Sequence, residues 1–271
     1  MIGVFDSGFG GLAILKDIVK KLPQYRYVYL GDNARTPYGT RSSEVVYEFT
    51  KQAVDFLFAH NCRLIVLACN TASADALRKI QQEYLPEKYS GKRVLGVIVP
   101  AIEEAIGRTK NRRIGVIGTE GTVSSKTFIR ELQQRDSKVK VFQQAAPLLV
   151  SLVEAGEQNS KACELLLQQY LQPLLKKDID TLILGCTHYG HLEKQIKKIV
   201  GDAVDIISEG PIVARKFKEY LLRHPEIESK LSRKKEITFY TTDMSERFKR
   251  LGALFFGRRI VPRRIELSDH A

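Results

Sequence analysis

The sequence predicts an α/β fold built on mostly parallel sheets and arranged as two related halves. Three observations carry this expectation. Short apolar runs of strand character alternate with amphipathic helical patterns through most of the 271 residues, the signature of parallel strands covered by helices on both faces. Residues 64–74 (LIVLACNTASA) and 181–190 (TLILGCTHYG) echo each other, each running an apolar stretch into Cys and then into residues that could open a helix. Upstream, IGVFDSGFGG from Ile2 resembles IGVIGTEGT from Ile114, and the distance to the following cysteine is 67 positions in the first case and 72 in the second.

In chain order, the strand-like runs are 2–5, 25–30, 63–69, 93–99, 112–118, 138–142, 181–186, 203–208 and 236–241. Helical periodicity fills 12–22 (LAILKDIVKKL), 43–60 (SEVVYEFTKQAVDFLFAH), 101–108 (AIEEAIGR), 125–135 (SKTFIRELQQR) and the run from Lys161 to Lys177.

Composition removes several classes. A chain of 271 residues, rich in apolar residues and with only nine prolines, can bury a sizeable core. No signal peptide and no uninterrupted apolar stretch of membrane-helix length stands out, so a soluble, cytoplasmic protein is expected. Four scattered cysteines (Cys62, Cys69, Cys163, Cys186) make neither a disulfide framework nor a CxxC zinc site. Cys62 and Cys163 read as buried small hydrophobes. The net charge of +12 is concentrated in residues 212–271, where 15 Lys/Arg face 8 Asp/Glu. The basic residues are not interleaved with aromatics, so a solvated basic face is the reading preferred to a nucleic-acid surface.

In parallel sheets, ligands bind at the carboxyl ends of strands, and polar residues of chemical interest fall there. They are Asp6-Ser7, Asp32-Asn33 with Pro37-Tyr38-Gly39, Cys69-Asn70-Thr71, Thr119 to Thr122, and Cys186-Thr187-His188. DSGFGGL (6–12) has neither the Lys-Ser/Thr of a P-loop nor GxGxxG, although such a turn can hold a carboxylate. Cys186 and His188 could form a Cys/His nucleophilic pair, but that would leave Cys69 unexplained. Two thiols at matching points suit a reaction that takes a proton from one face of a carbon and returns one to the other.

At DSGFGGL (6–12), GDNARTPYG (31–39), ACNTAS (68–73), GTEGT (118–122) and GCTHYG (185–190) the chain closely resembles the glutamate racemases, cofactor-independent members of the aspartate/glutamate racemase superfamily. The resemblance implies two similar α/β domains, pseudo-two-fold related, with the active site in the cleft between them. One would comprise 1–97 plus 209–271, the other 98–208. It also implies glutamate as substrate, no cofactor, no metal, a homodimer, and D-glutamate supplied to peptidoglycan synthesis. A racemase of aspartate or another small acid is the alternative.

By the same resemblance Cys69 and Cys186 are the proton donors and acceptors, serving the D- and L-enantiomer respectively, with Asp6 beside Cys69 and His188 beside Cys186. Ser7, Pro37, Tyr38, Gly39, Asn70, Thr71, Thr119, Thr122 and Thr187 would bind substrate with Asp6 and His188. Glu154 matches an acidic position near the site. The physical demand is severe, because the Cα proton is weakly acidic and the carbanion must be stabilised by hydrogen bonds and charge alone. Placement of each cysteine at a helix N-terminus is expected to lower its pKa. One departure is visible: the family commonly has Pro where this chain has Gly190. No long N-terminal extension precedes the first strand, so activation by a cell-wall precursor is not expected.

Overall fold

The computed structural model describes residues 1–267. The chain builds β1 (Ile2–Asp6), α1 (Gly11–Lys21), β2 (Tyr27–Gly31), α2 (Ser43–Ala59), β3 (Leu64–Leu67), α3 (Asn70–Asp75), β4 (Arg93–Gly96) and α4 (Ile98–Arg108). There follow β5 (Arg113–Gly118), α5 (Glu120–Ser124), α6 (Thr127–Arg135), β6 (Lys140–Ala145), α7 (Leu148–Ala155), α8 (Lys161–Leu175) and β7 (Thr181–Gly185). α9 (Glu193–Val200), β8 (Asp205–Ile207), α10 (Glu209–Arg223), β9 (Ile237–Thr241), α11 (Glu246–Phe256) and β10 (Pro262–Arg264) complete the main elements.

The strands form two all-parallel sheets, ordered β10-β9-β2-β1-β3-β4 and β6-β5-β7-β8. The internal echo is therefore structural: the first four strands are ordered second, first, third, fourth, and the next four repeat that order. β9 and β10 extend the first sheet beyond β2. The central strands β1, β3 and β7 are buried along their whole length. Such strands read as continuous apolar runs rather than alternating ones, because helices cover both faces. The largest core cluster is continuous from Ile2, Val4 and Leu12 through Leu182, Leu184 and Tyr189 to Phe248 and Phe255, so both sheets share apolar packing.

Registry sets the level of the strand ends. Asp6 pairs with Gly31 and Phe5 with Leu67, while Gly118 pairs with both Ala145 and Gly185. The residues just beyond, including Cys69 and Cys186, thus emerge at equivalent rims of the two sheets.

Several boundaries differ from expectation. The strand expected over 93–99 stops at Gly96, and Ile98 opens α4 with Pro100 in its first turn, where a missing N–H costs nothing. The 125–135 helix begins at Thr127, because Lys126 adopts a left-handed backbone (φ 54°). The strand expected over 138–142 lies instead at Lys140–Ala145. β10 was not foreseen; its proline sits on an edge, the one place in a sheet that tolerates a missing donor.

Candidate active site

β1 delivers Asp6, which is 1% exposed, into the turn that follows. Its Oδ2 accepts from the Gly8 amide at 2.9 Å, and its Oδ1 has no partner. Burial raises the Asp6 pKa, opposed by nearby His188 and by the Gly11 and Gly8 amides. Glycine is required in this turn because the other half of the molecule approaches closely. A Cβ on Gly10 would lie 2.0 Å from Thr187 Oγ1 and 2.8 Å from His188 Nδ1.

β3 delivers Cys69, the N-cap of α3, with Sγ accepting from the Ala72 amide at 3.5 Å and 3.3 Å from Ser7 Oγ. Asn70 and Thr71 occupy the first turn of α3, both buried. Thr71 Oγ1 lies 3.0 Å from Thr119 Oγ1 and 3.4 Å from Thr122 Oγ1, so three hydroxyls join the rim of one sheet to the rim of the other. Thr119 also caps α5 by accepting from the Thr122 amide at 3.2 Å, the structural role its sequence position suggests.

The Pro37–Gly39 loop closes against Thr119: a Cβ on Gly39 would fall 2.6 Å from Thr119 Cβ. Pro37 itself is exposed, whereas Tyr38 and Gly39 are buried. The Tyr38 hydroxyl donates to Asp32 Oδ2 at 2.5 Å.

Cys186 departs from expectation. No α-helix begins at it: Thr187 and His188 form a turn, a short 3₁₀ helix covers Tyr189–Leu192, and α9 starts only at Glu193. The loop is fixed by Tyr189, whose buried hydroxyl donates to the Ala146 carbonyl at 2.8 Å.

The pKa expectation also reverses, because burial outweighs the helix N-terminus. Cys69, 6% exposed, is pushed up to about 11 by burial and by Asp6, against the lowering effect of Ser7 and the Ala72 amide. Cys186, 8% exposed, is raised well above the ordinary thiol value by burial, with charge on Cys69 and Asp6 adding to it. The two thiols thus lie near enough to feel each other's charge, and both rest protonated.

A relay stands behind Cys186. Its Sγ is 3.9 Å from His188 Nδ1, and His188 Nε2 is 3.0 Å from Glu154 Oε1 on α7. A carboxylate can only accept, so Nε2 carries a hydrogen, while Nδ1 is turned toward Cys186 Sγ and Thr187 Oγ1, the latter 3.4 Å away. The other oxygen of Glu154 accepts from Arg247 of α11 at 2.6 Å.

Geometry therefore brings together Asp6, Ser7, Cys69, Asn70, Thr71, Tyr38-Gly39, Thr119, Thr122, Cys186, Thr187 and His188, with Glu154 behind them. Cys62 and Cys163 are buried elsewhere as free thiols. Two residues were missed. Arg247 gave no local signal within the basic C-terminal section, where Arg215 and Lys216 are likewise paired, with Glu104 and Glu103. Glu209 just follows β8, the same post-strand signal, and its Oε2 accepts from Asn70 Nδ2 at 2.7 Å. Among the described residues no group of three or more His, Cys, Asp or Glu is placed to hold a metal ion, and no helix is long and apolar enough to cross a membrane.

Paired thiols at matching rims of two repeated parallel sheets define a class, and the chain belongs to the Asp/Glu/Hydantoin racemase family, which residues 2–216 match. Within that family its relatives are glutamate racemases, as the five sequence motifs implied. It is 38% identical over 260 residues to the glutamate racemase of Geobacter metallireducens, covering 96% of this chain and 93% of that one. Its fold matches the crystal structure of glutamate racemase isoform RacE1 from Bacillus anthracis with a TM-score of 0.90 at 38% identity, covering 98% and 97% of the two chains. The Francisella tularensis glutamate racemase, solved in complex with D-glutamate, superposes with a TM-score of 0.89 at 32% identity, covering 99% and 98%.

Proposed function

We propose that this chain interconverts L- and D-glutamate by proton transfer between two thiols on opposite faces of Cα, without a cofactor. The observation that carries the reading is the placement of Cys69 and Cys186 at equivalent strand ends of the two sheets, buried and within electrostatic reach of each other.

Because both thiols rest protonated, one must first lose its proton inside the site. Cys69 can pass its proton to the unpartnered Oδ1 of Asp6, whose raised pKa suits it to hold one. The Cys69 thiolate, stabilised by Ser7 and the Ala72 amide, takes the Cα proton of D-glutamate. The Cys186 thiol then gives its proton to the other face and is left as thiolate beside His188 Nδ1. In the opposite direction Cys186 starts, with His188 accepting. Positioned acid–base groups of this kind contribute roughly 10²- to 10⁴-fold each.

Ser7, Asn70, Thr71, Thr119, Thr122 and Thr187, with the Tyr38-Gly39 backbone, supply hydrogen bonds for the two carboxylates and the ammonium. We propose further that residues 1–97 with 209–271 and residues 98–208 are the two domains, each built on one sheet. Homodimerisation, a cytoplasmic location and delivery of D-glutamate to peptidoglycan synthesis belong to the same proposal.

The test is incubation of the purified protein with L-glutamate and, separately, L-aspartate, without added cofactor, following optical rotation. Decay of the glutamate signal, lost in Cys69→Ala and in Cys186→Ala, is the expected result. Decay with aspartate alone would transfer the reading to the alternative substrate.

A further inference from the structure

Glu209 is a buried carboxyl that the proton-transfer scheme does not use. It is the first residue of α10 and 5% exposed. Oε2 accepts from Asn70 Nδ2 at 2.7 Å, while Oε1 is buried without a partner. The Oδ1 of Asn70 is also buried and unpartnered. Glu209 further lines a cavity of about 260 Å³ whose wall includes Cys186 and Thr187.

An ionised carboxylate in such a place needs a cation or several donors. Glu209 has one neutral amide and, among the described residues, no ion pair. Glu209 meets Asn70 from α3 and the charge of Asp6 from β1, and it shares the cavity wall with Lys16 and Asp17 of α1, Cys186 beyond β7, His191 of the 3₁₀ helix and Glu193 at the start of α9. On its own helix the nearest cations, Arg215 and Lys216, are taken by Glu104 and Glu103 of α4. The N-terminal end of α10 favours negative charge there by only a modest amount. Carboxylates and a thiol outnumber the single lysine.

We propose that Glu209 is a positioning residue acting in its neutral form: its carbonyl oxygen holds the Asn70 amide NH₂, which leaves Asn70 Oδ1 to accept from the substrate ammonium, and its hydroxyl keeps a negative charge away from Cys186. Burial, the dominant influence, raises its pKa to about 8, with Asp6 adding and Asn70 opposing. The group is then neutral at physiological pH and ionises just above it. Ionisation would place a carboxylate beside Asp6 and Cys186 and oppose formation of a thiolate. The inference rests on the assignment of the site to the Cys69–Cys186 cleft.

The experiment compares Glu209→Gln and Glu209→Ala with the parent protein. Glutamine reproduces the neutral acid, one acceptor for Asn70 and one donor opposite, so Glu209→Gln retains kcat/KM at pH 7 within about threefold. Alanine frees the Asn70 amide and lowers it roughly 5- to 150-fold, the range of a lost buried hydrogen bond. Parent kcat/KM rises with pH and levels off near pH 8; the Gln variant keeps rising through that point. Parallel profiles for parent and Gln variant, or equal losses in both variants, overturn the proposal.

Urea unfolding between pH 5 and 8 gives a readout independent of turnover. The unfolded chain ionises this carboxyl near its ordinary value of 4.5 while the folded chain keeps its proton up to about 8. Parent stability therefore declines over that window relative to Glu209→Gln. A pH-independent offset between the two means the carboxyl is ionised when folded, and refutes the proposal even if the protein racemises nothing. Conversely, loss of the racemase reading shows in the parent's own inactivity toward glutamate.

Discussion

Truncating Glu154 to alanine isolates the relay behind Cys186. The side chain is 12% exposed and makes two contacts, to His188 Nε2 at 3.0 Å and to Arg247 at 2.6 Å. Removing it leaves a nearly buried imidazole N–H without an acceptor and the ring free to turn, so that Nδ1 no longer faces Cys186. Hydrogen bonds to charged groups contribute about 1.5–3 kcal/mol, and an orphaned buried donor costs a similar amount. That range converts to a fall of roughly 10- to 150-fold in kcat/KM. Glu154 reaches substrate only through His188, so the loss falls on kcat and leaves KM nearly unchanged. Glu154→Gln keeps a neutral acceptor for Nε2 and recovers part of the activity. The assay is steady-state racemisation in both directions, with thermal unfolding to verify the fold. Because the enantiomers have equal free energy in water, kcat/KM must fall equally from either side. An activity within twofold of the parent, or a raised KM at unchanged kcat, would refute the relay.

Arg247→Ala tests the outer end of the same chain. Its side chain is 53% exposed and screened by solvent, so a kcat loss of only about two- to fivefold is expected, diminishing at high salt. Gly10→Ala places a methyl 2.0 Å from Thr187 Oγ1, and displacement of the Cys186 loop by about 1 Å predicts a loss near 10²-fold measured as kcat/KM. Thiol titration follows from burial: Cys69 has a pKa of about 11, so its alkylation by iodoacetamide accelerates with pH well beyond the ordinary thiol range of about 8.5. Mass-spectrometric mapping at Cys69 checks this, and a midpoint near 8 would contradict it.

The elements legible in the sequence were those whose cause is local. Buried parallel strands are continuous apolar runs, so β1, β3, β5 and β7 stood out, and residues at their ends or one or two places beyond, such as Asp6, Cys69, Thr119 and Cys186, followed by chain direction alone. The repeat of strand order was legible because two segments carry the same signal at similar spacing. What escaped depends on contacts between distant positions. Arg247 meets Glu154 across 93 residues and Glu209 meets Asn70 across 139, and neither pair has a sequence pattern. The thiol pKa values were misjudged because burial arises only when both sheet rims close over the cysteines. The turn after Cys186 was misjudged because Cys-Thr-His-Tyr-Gly contains no cap that distinguishes a 3₁₀ helix from an α-helix.

Racemisation of L-glutamate in heavy water, quenched after a small fraction of turnover, tests the two-thiol account most directly. The D-glutamate formed should carry deuterium at Cα while the remaining L-glutamate stays protiated, since the proton removed by one thiol is not the one delivered by the other. D-glutamate that retains the substrate's own protium would show a single base working on both faces, and the account would fail.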